Sequence, residues 1–267
     1  MAELIHTFHA ADLHTLLLAA AIYAVAAVFS GLSGFGFSAI GALSLVILPS
    51  QLCVPVLMAL SVASQALSFG SLARELRHHV GVWYHRDGVM PYLVGGVVGL
   101  PFGLATLSLL DARPLMGTLG LLLVAYAAWS LHAPTRVVVV APASSLHHAL
   151  LVGAVGGVVG GFAAFPGSAL VVWNSIVGRS KEQSRALTQP YILCMQVVAL
   201  LYLAGWYPQL FDTAFWTVVA VSLPGTLVGN QVGVAIYRRT GDLGYRRITI
   251  IMLGLSGAGL LLKLALA

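Results

Sequence analysis

The sequence predicts an all-α polytopic membrane protein made of two inverted repeats of about five helical segments each, with a short or broken glycine-rich helical hairpin opening each repeat. Three observations carry this expectation: an extreme apolar composition, ten apolar runs, and a glycine-rich bend that occurs twice. Hydrophobic residues make up 59% of the 267 residues and charged residues only 8%, with a mean hydropathy of +0.96, whereas a soluble domain carries about a quarter charged residues. Almost every residue lies in or between apolar runs, leaving no room for a soluble domain of the usual ~100 residues. The chain therefore reads as a single membrane domain over 1–267, repeat 1 spanning about 13–132 and repeat 2 about 146–266, surrounded by lipid bilayer.

The runs lie at roughly 14–30, 36–48, 53–72, 88–109, 114–131, 147–163, 166–178, 187–205, 213–236 and 247–265. A full span takes about twenty residues, so the second and seventh are short. Each short run follows a glycine-rich bend, Gly31-Leu32-Ser33-Gly34-Phe35-Gly36-Phe37-Ser38 in one half and Gly160-Gly161-Phe162-Ala163-Ala164-Phe165-Pro166-Gly167-Ser168 in the other. Re-entrant hairpins and thin tilted spans both fit these pairs. The stretch before the first run carries Glu3 and Asp12 but no Lys or Arg, unlike the positive start of a cleaved signal peptide, so the first run is expected to stay in the protein.

Charge then assigns sides. With the N-terminus outside, the loops near 74–87, 132–146, 178–186 and 237–247 fall in the cytoplasm and hold eleven of the thirteen Lys and Arg, leaving only Arg113 and Lys263 outside. That bias follows the positive-inside rule and puts both termini outside. The net charge of +5 thus reports topology: the arginines are scattered over short loops and form no basic face for nucleic acid. Trp206 and Tyr207, beside a loop almost free of charge, read as interface anchors.

The two halves align at an offset near 130: Phe35 falls on Phe165, Ser38 on Ser168, Val98-Gly99 on Val228-Gly229, and Gly103 on Gly233. A one-residue slip pairs Gln65 with Gln196. Five segments per half is an odd number, so the second copy enters the membrane the other way up. The stretch 132–146, with Pro134 and Pro142, is the natural boundary between halves.

A helix broken inside a membrane leaves backbone groups that protein, water or ligand must satisfy. The helices starting near Gly36 and Pro166 would point their N-termini inward, where free N–H groups and a partial positive charge suit an anion. Ser38 and Ser168 sit in the first turn of each, placed to cap the backbone or reach an oxyanion. By inversion the two ends converge in one pocket, expected to take in Ser33, Gly34, Phe35, Gly36, Phe37 and Ser38 from the first bend. Phe165, Pro166, Gly167 and Ser168 come from the second, with Gln65 and Gln196 as flanking amides. Ser61, Ser64, Asn174, Gln189 and Asn230 are weaker candidates.

Each feature also has a plainer reading. Gly95, Gly99, Gly103, Gly153, Gly157, Gly229 and Gly233 are expected to let helices approach closely. No Asp, Glu, Lys or Arg falls at the predicted centre of a run, which argues against a carboxylate relay and for an anion held by amides and hydroxyls. Lys181-Glu182-Gln183-Ser184-Arg185 reads as a solvated turn ahead of a helix. Cys53 and Cys194 lack a CxxC partner and read as packing. His78, His79 and His85 have no fourth ligand, so neither metal nor cofactor is expected. The Gly-x-Ser-Gly sequences at Ser33 and Ser256 match an intramembrane serine hydrolase, but no histidine is placed to activate either serine.

On the segment Gly31-x-x-Gly34-Phe35-Gly36, the later Pro49, and the stretch from Gly156-Gly157 to Gly167, the chain resembles the sulfite exporter TauE/SafE family, also called the 4-toluene sulfonate uptake permease family. The common run of three glycines is replaced here by Gly36-Phe37-Ser38 and Pro166-Gly167-Ser168. The resemblance implies a secondary transporter of the bacterial inner membrane, not an enzyme. Its substrate would be a small sulfur-containing oxyanion such as sulfite, a sulfonate or sulfoacetate, exported by alternating access. A homo-oligomer is compatible with it. The competing readings are a rhomboid-like hydrolase and a membrane scaffold without ligand.

Overall fold

A computed structural model of the chain describes residues 13–80, 88–109, 113–132, 145–163 and 165–266. All regular structure among them is helical: α1 (Leu13–Ser33), α2 (Phe37–Gly41, prolonged as a 3-10 helix over Ala42–Val46), α3 (Ser50–Val80), α4 (Val89–Leu109) and α5 (Arg113–His132) come first. They are followed by α6 (Leu146–Ala163), α7 (Ser168–Val177), α8 (Lys181–Trp206), α9 (Thr213–Arg239) and α10 (Asp242–Leu266). Each apolar run became a helix, and the two short runs are α2 and α7. Among the described residues five helices (α1, α3, α8, α9 and α10) contain stretches long and apolar enough to cross a membrane by length and composition. Arg86, Arg136, His85 and the boundary region 133–144 lie outside the described residues, as do the side chains of His78 and His79.

Several helices outrun their apolar stretch. α8 begins at Lys181, within the expected loop, because Ser180 accepts from the Gln183 N–H (3.3 Å) while the Gln183 side chain accepts from the Ser180 N–H (3.2 Å). This reciprocal box satisfies two of the donors that a helix start leaves open. Asp212 caps α9 by accepting from Phe215 N–H at 2.9 Å.

Helix pairing is exchanged between the halves. The most extensive contacts join α1 to α9 and α4 to α6. At the first, a Cβ on Gly229 would run into the Ala24 carbonyl and one on Gly233 into that of Val28; at the second, Gly99 meets Ala154 and Gly103 meets Val158. Each residue of the first interface is its counterpart in the second plus or minus 130. These glycines are contact residues, as expected: in a bilayer, close backbone approach replaces the hydrophobic drive that holds soluble helices together. The corresponding helices α3 and α8 pack on each other antiparallel, as do α5 and α10, where Gly120 lies at Gly257 and Gly254 at Ala127.

Polarity runs opposite to that of a soluble protein. Val98, Leu121, Leu151, Leu201, Val228 and Leu255 are exposed, while Ser30, Ser64, Gln65, Gln189, Ser222 and Asn230 are fully buried. Asn230 shows why: its amide donates to Ser64 Oγ (2.7 Å) and its carbonyl accepts from Ser68 Oγ (2.9 Å), tying α9 to α3. Outward-facing apolar side chains and inward polar ones fit a lipid surround.

Candidate functional site

The first bend is held by its own serines and by α3. Gly34 sits at φ +84°, a conformation that glycine adopts without the Cβ clash other residues suffer. Its N–H donates to Ser30 O (2.7 Å), and its carbonyl accepts from Gln65 Nε2 (2.8 Å). The Ser33 hydroxyl donates to Phe29 O (2.7 Å) and accepts from the N–H of Gly36 (3.0 Å) and of Phe35 (3.4 Å). Two of the amides expected to face a ligand are therefore occupied by Ser33, which makes that residue a brace for the turn.

In the second bend none of Gly160, Gly161 and Gly167 is left-handed. Ser168 directs both its N–H (3.4 Å) and its hydroxyl (3.2 Å) at Phe165 O. The bends meet: the Phe35 and Phe165 rings lie 6.0 Å apart, and a Cβ on Gly167 would stand 3.5 Å from that of Phe35. Phe37 is not part of this meeting. It stacks on Tyr23 at 6.1 Å, in a cluster formed with α1, α3 and α9.

Each glutamine lies near the bend of its own half. Gln65 braces Gly34 as described, and its Oε1 is buried without a hydrogen-bond partner. Gln196 borders a gap beside Pro166, lined also by Met58, Leu100, Met195 and Ala199 and too narrow for a water molecule. Both its Nε2 and its Oε1 are buried and without partners. Leaving a buried amide unpaired costs about 1–3 kcal/mol per group, so such a residue calls for an explanation beyond packing.

Arg185 corrects the expectation of a solvated turn. The helix start at Ser180 carries it one turn into α8, where it is fully buried. Its Nη1 donates to Leu32 O (3.1 Å), its Nε to Gln189 Oε1 (3.1 Å), and its guanidinium carbon lies 4.3 Å from the Tyr237 ring centre. Gln189 passes the connection on, donating to Gln65 O at 3.2 Å. A fixed cation thus stands beside the first bend, with a carbonyl at the end of α1, a neutral amide and an aromatic face around it. The Ser-x-x-Gln signature at 180–183 was the sequence signal that could have found it.

Of the other candidates, Ser61 keeps a buried hydroxyl without a hydrogen-bond partner, while Asn174 is tied into its surroundings. Asn174 donates to Thr188 Oγ1 (3.0 Å) and accepts from Arg179 Nη1 (2.8 Å). Cys53 is buried beside Ser44, and Tyr191 donates to Gly153 O. The serines of the two Gly-x-Ser-Gly sequences bond within their own helices, Ser33 to Phe29 O and Ser256 to Met252 O. Among the described hydrogen bonds no histidine reaches either one.

Comparison with curated proteins and with solved structures returned no match. The family model described as sulfite exporter TauE/SafE matches residues 18–260, a stretch that includes both bends, both glutamines and Arg185. The chain belongs to this family, whose members are membrane transporters and not enzymes.

Proposed function

We propose that the chain moves a small sulfur-containing oxyanion, such as sulfite, a sulfonate or sulfoacetate, across the bacterial inner membrane by alternating exposure of a site between its two bends. The observation that carries this reading is Gln196: an amide with no partner for either end, bordering a gap beside Gly160 and Pro166 of the second bend. In a closed conformation its donors and acceptor wait for a ligand that is bound when the gap widens. Arg185 supplies positive potential on the side of the first bend, and Ser38 and Ser168 supply hydroxyls in the first turns of α2 and α7.

The reading takes the repeats as inverted. Corresponding helices that pack antiparallel, and interfaces that exchange partners at a constant offset, support it. Two states related by swapping the roles of the halves then have similar energies, which alternating access requires. With a negative interior, export of one anionic charge gains about 2.3 kcal/mol per 100 mV and needs no acidic coupling residue.

The test is Gln196→Leu. Removing an unpaired buried amide should leave unfolding temperature unchanged or higher, while counterflow of radiolabelled sulfite into proteoliposomes falls at least tenfold. Wild-type counterflow by the variant would remove Gln196 from the site.

A further inference from the structure

A cavity of about 300 Å3 opens where α7 gives way to α8 and where α10 begins. Its volume corresponds to roughly ten waters at liquid density and stands at the lower end of ligand pockets. Among the described residues three cations, Arg179, Lys181 and Arg246, line it against one carboxylate, Asp242.

Most of these charges are already engaged. Arg179 donates to Asn174 Oδ1 (2.8 Å), and Lys181 Nζ donates to Thr240 O (2.7 Å) and lies 3.7 Å from Glu182. Asp242 accepts from the Lys181 backbone N–H at 3.1 Å. Arg246 differs, because its Nε is buried without a hydrogen-bond partner, and Ser175 Oγ on the α7 wall is in the same condition. Burying an unpaired N–H of a charged group is costly. An acceptor that satisfies it inside a wall of net positive charge is most naturally an anion, and the guanidinium fork matches oxyanion geometry.

We propose that this basin is a second anion site, distinct from the gap at Gln196, which takes a small free oxyanion such as sulfite, sulfate or phosphate on Arg246 and Ser175. Tyr245 forms part of its wall and donates to Ser33 O of the first bend at 2.8 Å. One side chain therefore separates the basin from the bend. An anion held here is concentrated beside the first bend, and a shift of Tyr245 would release the Ser33 carbonyl towards it.

Sodium sulfate at constant ionic strength, titrated calorimetrically into the detergent-solubilised full chain, tests the assignment. Arg246→Gln should weaken sulfate binding by about tenfold to a hundredfold, and Ser168→Ala should leave that event intact. Binding unaltered by Arg246→Gln, or no uptake by the wild type, overturns the basin. Loss of binding in Ser168→Ala alone also overturns it, while leaving the central site standing. Should Arg246→Gln fail to fold, Ser175→Cys serves instead: sulfate should slow alkylation of the introduced thiol by iodoacetamide severalfold, after subtraction of the wild-type background. Absence of protection overturns the site, as does anionic phospholipid that is retained through Arg246 without any sulfate binding, which would make it a headgroup site.

Discussion

The aliphatic stem of Arg185 lies along Gly34, so that a Cβ built on the glycine would stand 3.5 Å from Arg185 Cγ and 3.8 Å from Nε. Space for a methyl group exists there, yet the backbone at φ +84° disfavours any residue that carries one. Gly34→Ala should therefore cost about 1–2 kcal/mol through conformation alone. A chemical-denaturant or thermal melt in detergent measures it, and an unchanged midpoint would show that the bend relaxes freely.

Arg185 joins α8 to the end of α1 by a planar fork and to Tyr237 by its face. Lysine keeps the charge but loses both features. Arg185→Lys should retain part of the sulfite counterflow, and Arg185→Gln should lower it tenfold or more. Equal, near-normal transport by both would leave the buried charge a purely structural role.

The exchanged interfaces predict matched penalties. Gly233→Ala and Gly103→Ala each drive a methyl into a facing backbone, so each should destabilise by at least ~1–3 kcal/mol. Gly70, with nothing within 4 Å of its Cβ position inside α3, should instead gain about 0.5–1 kcal/mol on change to Ala. A large penalty at one interface glycine and none at the other would break the correspondence.

Sidedness is open to direct labelling. Cysteine at positions 50 and 208 should react with an impermeant thiol reagent from outside, and cysteine at positions 80 and 242 only from inside. The opposite pattern would overturn the positive-inside assignment and with it the proposed inversion.

Much of the architecture was legible because membrane helices announce themselves by length and hydropathy, and because two glycine bends at a constant offset are hard to miss. The convergence of Phe35 with Phe165 followed from that repeat. What escaped was local chemistry that competes with the pattern. Charges at Lys181, Glu182 and Arg185 read as loop, whereas the Ser180–Gln183 box starts a helix there and takes Arg185 inward. The bend amides read as free, whereas the Ser33 hydroxyl turns back onto them, a contact set by rotamer and not by spacing. Phe37 lies inside the motif yet packs on Tyr23, since the turn directs neighbouring side chains to different clusters.

The partnership of α1 with α9 also shapes how the molecule is made. From Ser33, where α1 ends, to Thr213, where α9 begins, synthesis at about 5–20 residues per second takes on the order of ten to forty seconds. During that interval the face of α1 that carries Ala24, Ala27 and Gly31 has no mate, and α4 acquires its own only after the midpoint of the chain has been made. Neither half closes by itself, so a ribosome that stalls between them releases two unmatched faces in place of a smaller working unit. What α9 covers on arrival is the stretch of α1 from Ala24 to Gly31, against which its own Gly229 and Gly233 leave no room for a side chain.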